Sequence, residues 1–147
     1  MMRMILAAAA FWFLAITAPS VAENRPAATL YKNPECTCCE GYAAYLRQNG
    51  FEVKVIPTHD LSLLKKQYGV AETFEGCHTT LVGGYVVEGH VPLKTLNKLL
   101  TDRPNIKGIS LPGMPQGSPG MTGVKSEPFT IYEVGSDPAN PHIYAVE

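Results

Sequence analysis

Apolar residues recur along the chain with two spacings. Some segments place them at every second position, as a strand does, and others at every third or fourth position, as a helix does. The segment FEVKVI (51–56) alternates apolar and polar positions, which is typical of a half-buried strand. Tyr42, Tyr45 and Leu46 recur instead at helical spacing. Applied along the chain, the pattern predicts a strand at 28–32, a helix at 37–49, a strand at 51–56, a helix at 60–68, strands at 79–82 and 85–88, and a helix at 92–100.

Local signals support these boundaries. Thr37 stands three residues before Glu40, the spacing of a capping box, which predicts Thr37 as the N-cap of the first helix. Gly50 follows that helix in the position where glycine commonly ends helices. The pair Gly83-Gly84 separates the third and fourth strands, and this predicts a tight hairpin.

The order of the predicted elements indicates an α/β fold. Two strands joined through a helix are expected to be parallel in a right-handed crossover, and the hairpin adds two antiparallel strands. This β-α-β-α-β-β-α order is similar to the thioredoxin-like fold. A Gly/Pro-rich loop is predicted at 104–128, followed by short strands in FTIYEV (129–134) and HIYAVE (142–147).

The N-terminus is predicted to be a targeting segment. After Arg3 comes the apolar stretch MILAAAAFWFLAI (4–16), which is short for a membrane span. Ser20 and Ala22 then form an A-x-A-like cleavage site, so residues 1–22 are predicted to be a signal peptide and 23–147 the mature domain. In a bacterium the destination would be the periplasm, with no stable membrane anchor after cleavage. An uncleaved anchor is the alternative.

Composition narrows the class of protein. The 147 residues are 46% hydrophobic and 17% charged, as expected for one folded domain. The net charge is −1, and the chain has no long basic run, so nucleic acid is a poor candidate partner.

Three of the four cysteines form a C-x-C-C motif at the first strand-to-helix turn. With Thr37 as N-cap, Cys38 and Cys39 lie in the first helical turn, where free N–H groups favour negative charge. Thiols there are expected to have a lowered pKa and to react or bind metal. Inert pairing is disfavoured because a Cys38–Cys39 disulfide would be strained and a Cys36–Cys38 disulfide would close a very tight ring.

Cys77 lies immediately before the predicted third strand. In a thioredoxin-like fold this position faces the active-site turn and usually holds a cis proline, which is absent here. We therefore expect all four cysteines to converge. A dithiol enzyme needs only two of them, and additional thiols invite scrambled disulfides, so a bound soft metal explains the set better.

The spacing of the thiols bears on which metal they bind. Thiolates select Cu(I), zinc or iron–sulfur clusters. Structural zinc sites use wider C-x₂₋₄-C spacings, and iron–sulfur spacings are not matched. Thiolates this crowded are better shared among several Cu(I) ions. Binding of Cu(I) is therefore the first hypothesis, disulfide chemistry is the second, and binding of zinc or another metal is the third.

Four further residues are candidate ligands. His90 is predicted on the loop after the fourth strand, near the first turn, where it is either a ligand or a surface histidine. His78 follows Cys77 on a strand, and alternation of side chains favours the opposite face for it. Met114 and Met121 flank the Gly/Pro-rich loop and offer thioethers if that loop covers the cysteines, the alternative being ordinary packing.

The motifs NPECTCCEGY (33–42), VEGHVP (87–92) and LPGMPQGSPGM (111–121) resemble the CopG-type family of secreted copper-resistance proteins, long catalogued as a domain of unknown function. The similarity extends over about residues 28–124. It implies a thioredoxin-like fold and a periplasmic location. It also implies a multi-copper site bridged by the thiolates of Cys36, Cys38, Cys39 and Cys77.

The resemblance further implies a role in copper resistance, with Cu(I)/Cu(II) conversion beside efflux as one option. Such a protein would be a copper oxidoreductase, whereas a protein that only stores or transfers copper would not be an enzyme. The expected partners are copper ions and periplasmic copper efflux or chaperone proteins. A thiol–disulfide oxidoreductase that uses two of the clustered cysteines is the alternative function.

Overall fold

The computed structural model describes residues 25–147, so the predicted signal peptide 1–22 lies outside the described residues. These residues contain three α-helices, a short 3₁₀ helix and one seven-stranded sheet. The elements in chain order are β1 Ala28–Lys32, α1 Thr37–Gln48, β2 Val53–Pro57, α2 Leu61–Gln67, the 3₁₀ helix Glu72–Phe74, β3 His78–Val82, β4 Tyr85–Glu88, α3 Leu93–Asp102, β5 Gly108–Ser110, β6 Thr130–Glu133 and β7 Ile143–Val146.

The strands lie in the order β2-β1-β3-β4-β5-β6-β7. β1 and β2 are parallel, as predicted for strands joined through a helix, and β3 pairs antiparallel with β1. β3 and β4 form the predicted hairpin. Gly83 and Gly84 turn it with φ of 59° and 87°, a backbone region that side chains disfavour. The expected mixed α/β fold is confirmed.

The main hydrophobic core packs residues from α1 and α3 against one face of the sheet. Leu46 of α1 and Leu99 of α3 are fully buried there together with Val87 of β4. The adjacent Val86 belongs to a second, smaller cluster with Phe74, because neighbouring strand residues point to opposite faces. The sheet is therefore covered on both faces around β4.

Three predictions about particular elements differ from the structure: two helix N-caps and one loop. Thr37 is the first residue of α1, and Cys36, not Thr37, is the N-cap. Pro92 is likewise the N-cap of α3 instead of a residue of its first turn. The predicted loop 104–128 contains the strand β5 (Gly108–Ser110), which pairs with β4 and β6. Three residues are too few to show a period of two, which explains why the pattern did not predict this strand.

The two C-terminal strands β6 and β7 pair antiparallel, in agreement with the predicted short strands. Within residues 25–147, none of the helices has the length and apolar character needed to cross a membrane.

Candidate metal centre

Three segments of the chain meet at one end of the sheet. Because β3 runs antiparallel to β1, its first residue lies beside the last residue of β1, and His78 pairs with Lys32. The end of β4 lies at the same place, since β3 and β4 form a hairpin. The segments that enter or leave this end of the sheet carry Cys36, Cys77 and His90.

The four cysteine sulfurs form one cluster, all within 4.8 Å of one another. Cys38 Sγ lies 3.4 Å from Cys36 Sγ and 3.7 Å from Cys77 Sγ. Cys39 is fully buried, and its Sγ lies 3.5 Å from the carbonyl oxygen of Cys77. The expected convergence of Cys77 on the C-x-C-C turn is thus present in the structure.

The cluster contains a disulfide between Cys36 and Cys39, and Cys38 and Cys77 are free thiols. Sequence reasoning missed this pair because it weighed only the Cys38–Cys39 and Cys36–Cys38 bonds. The signal was present as a C-x-x-C spacing, typical of thioredoxin-like redox motifs. Cys36 is the N-cap of α1 and Cys39 its third residue, and the side chain of an N-cap reaches toward that position.

Two histidines extend the cluster through Cys77. His90 Nε2 lies 2.9 Å from Cys77 Sγ, and His78 Nδ1 lies 3.4 Å from the same sulfur. Both histidines are buried, and their rings pack edge to face with centroids 4.8 Å apart. His78 therefore faces Cys77, against the alternation argument, which favoured the opposite side.

The proton of His90 can be placed from its partners. His90 Nδ1 lies 2.7 Å from the carbonyl oxygen of Pro119. A carbonyl oxygen only accepts, so Nδ1 carries the hydrogen and donates it, which leaves the lone pair of Nε2 directed at Cys77. A second contact of this kind commonly fixes the ring of a metal-binding histidine.

Burial controls the charge of these groups. It raises the pKa of the Cys77 thiol to about 12, with the neighbouring Cys38 adding to the effect. Burial also lowers the pKa of both His78 and His90. At neutral pH the Cys77 thiol and both imidazoles are therefore uncharged, and a metal ion that bound Cys77 would displace its proton.

The Gly/Pro-rich segment packs against the cysteine turn. Met114 is 54% exposed, and its Sδ lies 4.0 Å from Cys38 Sγ. Further along, a Cβ on Gly41 of α1 would lie 2.7 Å from the carbonyl oxygen of Gly120, so the two backbones touch. Met121 follows, half-buried, with its N–H donating to Ser118 O at 2.9 Å. The sulfur contact with the cysteines is thus made by Met114.

The chain matches one family model and two solved structures. The family model described as "Protein of unknown function, DUF411" matches residues 74–121. Two solved structures, titled "Copper resistance protein copG- Form 2" and "Copper resistance protein copG- Form 1", each match with a TM-score of 0.74 and 32% identity. In both cases the match covers 84% of this chain and 98% of the other. This chain belongs to the CopG family. No curated protein sequence gives a significant match.

CopG membership confirms the resemblance drawn from the three sequence motifs. The DUF411 match includes Cys77, His90 and both loop methionines, whereas the C-x-C-C turn lies before it. The structural matches span most of the chain, and the cysteine cluster joins the turn to the matched segment. Thiols, a thioether and imidazoles form a donor set suited to soft or borderline metal ions such as Cu(I) and zinc.

Proposed function

We propose that this protein binds Cu(I) in a cysteine-bridged, multinuclear site and serves copper resistance in the periplasm. The observation that carries the proposal is the gathering of four cysteine sulfurs within 4.8 Å, from two segments far apart in sequence. The ligands proposed are Cys36, Cys38, Cys39 and Cys77, with His78, His90 and Met114 as additional donors. Met121 is not proposed as a ligand; its proposed role is to pack within the Gly/Pro-rich loop that lies against the cysteine turn.

The softness of the donors supports Cu(I) over harder cations. Sulfur ligands select Cu(I), and Met114 adds a thioether that zinc sites do not use. Cys38 and Cys39 are adjacent in the chain and cannot easily both turn toward one ion. A thiolate that bridges two Cu(I) ions avoids this conflict, which supports more than one ion per chain.

The Cys36–Cys39 disulfide means that the cysteine cluster can exist in an oxidised and a reduced form. With Cys36 and Cys39 joined, Cys38 and Cys77 are the thiols that remain for copper. When Cys36 and Cys39 are reduced, their two thiolates can each give one electron to a Cu(II) ion, which yields two Cu(I) ions and the S–S bond. Cu(I)/Cu(II) conversion in this protein would therefore couple the reduction of Cu(II) to the formation of the Cys36–Cys39 disulfide.

A thiol–disulfide oxidoreductase is the second candidate function. It is favoured by the Cys36–Cys39 bond itself, a C-x-x-C disulfide at the start of a helix. An oxidoreductase of this kind would exchange the disulfide with another protein's thiols and would do so without copper. Disulfide exchange by copper-free protein at a catalytic rate would favour this candidate.

The location and domain organisation are part of the same proposal. Residues 1–22 are a signal peptide, and 23–147 form a thioredoxin-like domain. The order β2-β1-β3-β4, with a parallel pair followed by an antiparallel hairpin, supports that fold assignment. The proposed partners are copper ions and periplasmic proteins that export or carry copper.

The test is the metal content of reduced protein. The chain 23–147 is purified without oxygen, reduced, and titrated with Cu(I) against a chromophoric chelator. We expect more than one Cu(I) per chain, and Cys38→Ser or Cys77→Ser should lose most of it. Thr37→Ser is the control, since it changes an exposed residue of the same turn and removes no thiol. Binding of one zinc ion and no Cu(I) would contradict the proposal.

A further inference from the structure

A buried ion pair lies behind the segment that carries Cys77. Lys65 of α2 is 3% exposed and Glu88 of β4 is fully buried, and Lys65 Nζ contacts Glu88 Oε1 directly. Lys65 Nζ also donates to the hydroxyl of Thr79 at 3.2 Å, and that hydroxyl donates to Glu88 Oε2 at 2.7 Å. The pair is thus linked to β3 through Thr79, two residues after Cys77.

The same two side chains bind both polar groups of Gly76. The N–H of Gly76 donates to Glu88 Oε1 at 2.8 Å, and Lys65 Nζ donates to the Gly76 carbonyl oxygen at 3.2 Å. That carbonyl belongs to the peptide bond that joins Gly76 to Cys77. This peptide bond, which ends at the backbone N–H of Cys77, is therefore held from α2 and β4.

The backbone of Gly76 packs so closely against that of Gly89 that no side chain fits at position 76. A Cβ on Gly76 would lie 2.6 Å from the Cα of Gly89, closer than atoms of this kind approach. The N–H of Gly89 donates to the carbonyl oxygen of His78 at 3.1 Å. Gly76 is thus held between Gly89 on one side and the Lys65–Glu88 pair on another.

Stability alone is a weak reason for such a pair. Removing two charges from water offsets most of their attraction, and apolar side chains of similar size are often as stabilising. What apolar side chains cannot supply is the acceptor for the Gly76 N–H and the donor for its carbonyl oxygen. The distinctive contribution of this pair is therefore geometric.

We propose that Lys65 and Glu88 are positioning residues that hold Cys77 at the thiol cluster through the Gly76 peptide. The part of this inference that concerns copper rests on the proposed function. The part that concerns Cys77 stands without it, because the contacts are made entirely by side-chain and backbone atoms of this chain. Removing them should let Cys77 move away from Cys38, whose sulfur lies 3.7 Å from its own.

Two double variants separate geometry from charge. Lys65→Met with Glu88→Leu removes both charges and both contacts to Gly76. Lys65→Met with Glu88→Gln also removes both charges but keeps an amide oxygen that can accept the Gly76 N–H. The control is Lys98→Met with Asp102→Leu, which removes an exposed ion pair on α3. Each protein is compared for thermal unfolding, Cu(I) affinity and the alkylation rate of Cys77 without copper.

We expect the Leu variant to fold but to bind Cu(I) about tenfold more weakly, the effect typical of losing a contact that orients a ligand. The Gln variant should recover much of that affinity, and its Cys77 should react more slowly than in the Leu variant. Equal affinity and equal Cys77 reactivity in the two variants and the wild type would overturn the proposal. If neither the wild type nor the variants bind Cu(I), the alkylation rates of Cys77 still test the positioning role of Lys65 and Glu88.

A measurement on the unaltered chain covers the case in which the variants do not fold. Gly76 follows the short 3₁₀ helix and precedes β3, where an unpaired amide would exchange rapidly with solvent. Because its N–H donates to a buried carboxylate, we expect slow hydrogen exchange at Gly76. Exchange as fast as that of an exposed loop amide would overturn the proposal.

Discussion

The sulfurs of Cys38 and Cys77 lie 3.7 Å apart although 39 positions separate the two residues in the chain. The antiparallel pairing of β1 with β3 produces this contact, because it sets the start of β3 beside the turn after β1. The site therefore depends on the pairing of the sheet as much as on the C-x-C-C turn. Changes in either segment should therefore alter the geometry of the same cysteine cluster.

The first prediction concerns the Cys36–Cys39 disulfide. Oxidised protein should bind less Cu(I) than reduced protein, because two of the four sulfurs are then bonded to each other. Cu(I) titration before and after reduction measures the difference. Cys36→Ser cannot form this disulfide, so a mild oxidant should lower its Cu(I) capacity less than it lowers that of the wild type. Equal capacity of oxidised and reduced wild type would show that these two sulfurs take no part.

The second prediction concerns His90. His90→Ala should weaken Cu(I) binding about tenfold, because it removes the imidazole 2.9 Å from Cys77 Sγ and the contact that holds Pro119. His59→Ala is the matched control, since His59 is an exposed histidine before α2. Affinity is measured by competition with a Cu(I) chelator. The same affinity in both variants would mean that His90 serves only to anchor the loop.

The third prediction concerns the pH dependence of Cys77 in copper-free protein. Its pKa is raised from 9.0 to about 12, mainly by burial and further by Cys38. The alkylation rate of Cys77, measured by peptide mass spectrometry, should therefore still be rising at a pH so far above 9 that the rate of an exposed thiol has become constant. Between pH 9 and about pH 12, Cys77 keeps its proton in the folded chain and has lost it in the unfolded chain. The free energy of unfolding should therefore fall as the pH rises through this range.

Cys38→Ser provides the control for this pH dependence. The serine removes the neighbouring thiol that adds to the shift, while the burial of Cys77 is largely kept. The pKa of Cys77 should then fall below that of the wild type and stay above its ordinary value. A wild-type profile with its midpoint near pH 9 would contradict the burial argument.

Much of the fold could be predicted because long elements show their period. α1 and α3 each repeat their apolar residues over several turns, and Gly83-Gly84 marks the hairpin. The three-residue β5 could not be predicted from its own pattern. It exists because β4 on one side and β6 on the other supply its hydrogen bonds.

The candidate site was predictable where it follows from topology. The position of Cys77 follows from the strand order, and the loop with His90 follows β4 to the same end of the sheet. The orientation of His78 was not predictable from alternation. His78 is the first residue of β3, and its ring is turned by packing against Tyr42, 4.7 Å away between centroids, and against His90.

The fourth prediction concerns export. If residues 1–22 are a signal peptide, the protein isolated from its native host should begin near Glu23 and lie in the periplasmic fraction. Intact mass spectrometry of that fraction gives the start of the chain. Ala22→Arg should block cleavage, because the site requires a small residue, whereas Ala22→Ser should not. Full-length protein in the membrane fraction would contradict the prediction.

The fifth prediction concerns Met114 of the Gly/Pro-rich loop. Met114 Sδ lies 4.0 Å from Cys38 Sγ while the side chain is 54% exposed, so Met114 contacts both the thiol cluster and solvent. Met114→Ala should leave the fold intact, because little apolar surface is lost from the core. It should weaken Cu(I) retention or speed air oxidation of the bound copper, since a soft donor and a cover are both removed.

Met121→Ala is the comparison for Met114, because it removes the same side chain from the far end of the same loop. Its effect on copper should be smaller, since the contact with Cys38 is made by Met114. Met114→Leu separates donor from cover, because leucine restores the bulk and lacks the sulfur. If leucine protects the copper as well as methionine does, Met114 shields the site without binding the metal. If Met114→Ala changes neither retention nor oxidation, Met114 has neither role.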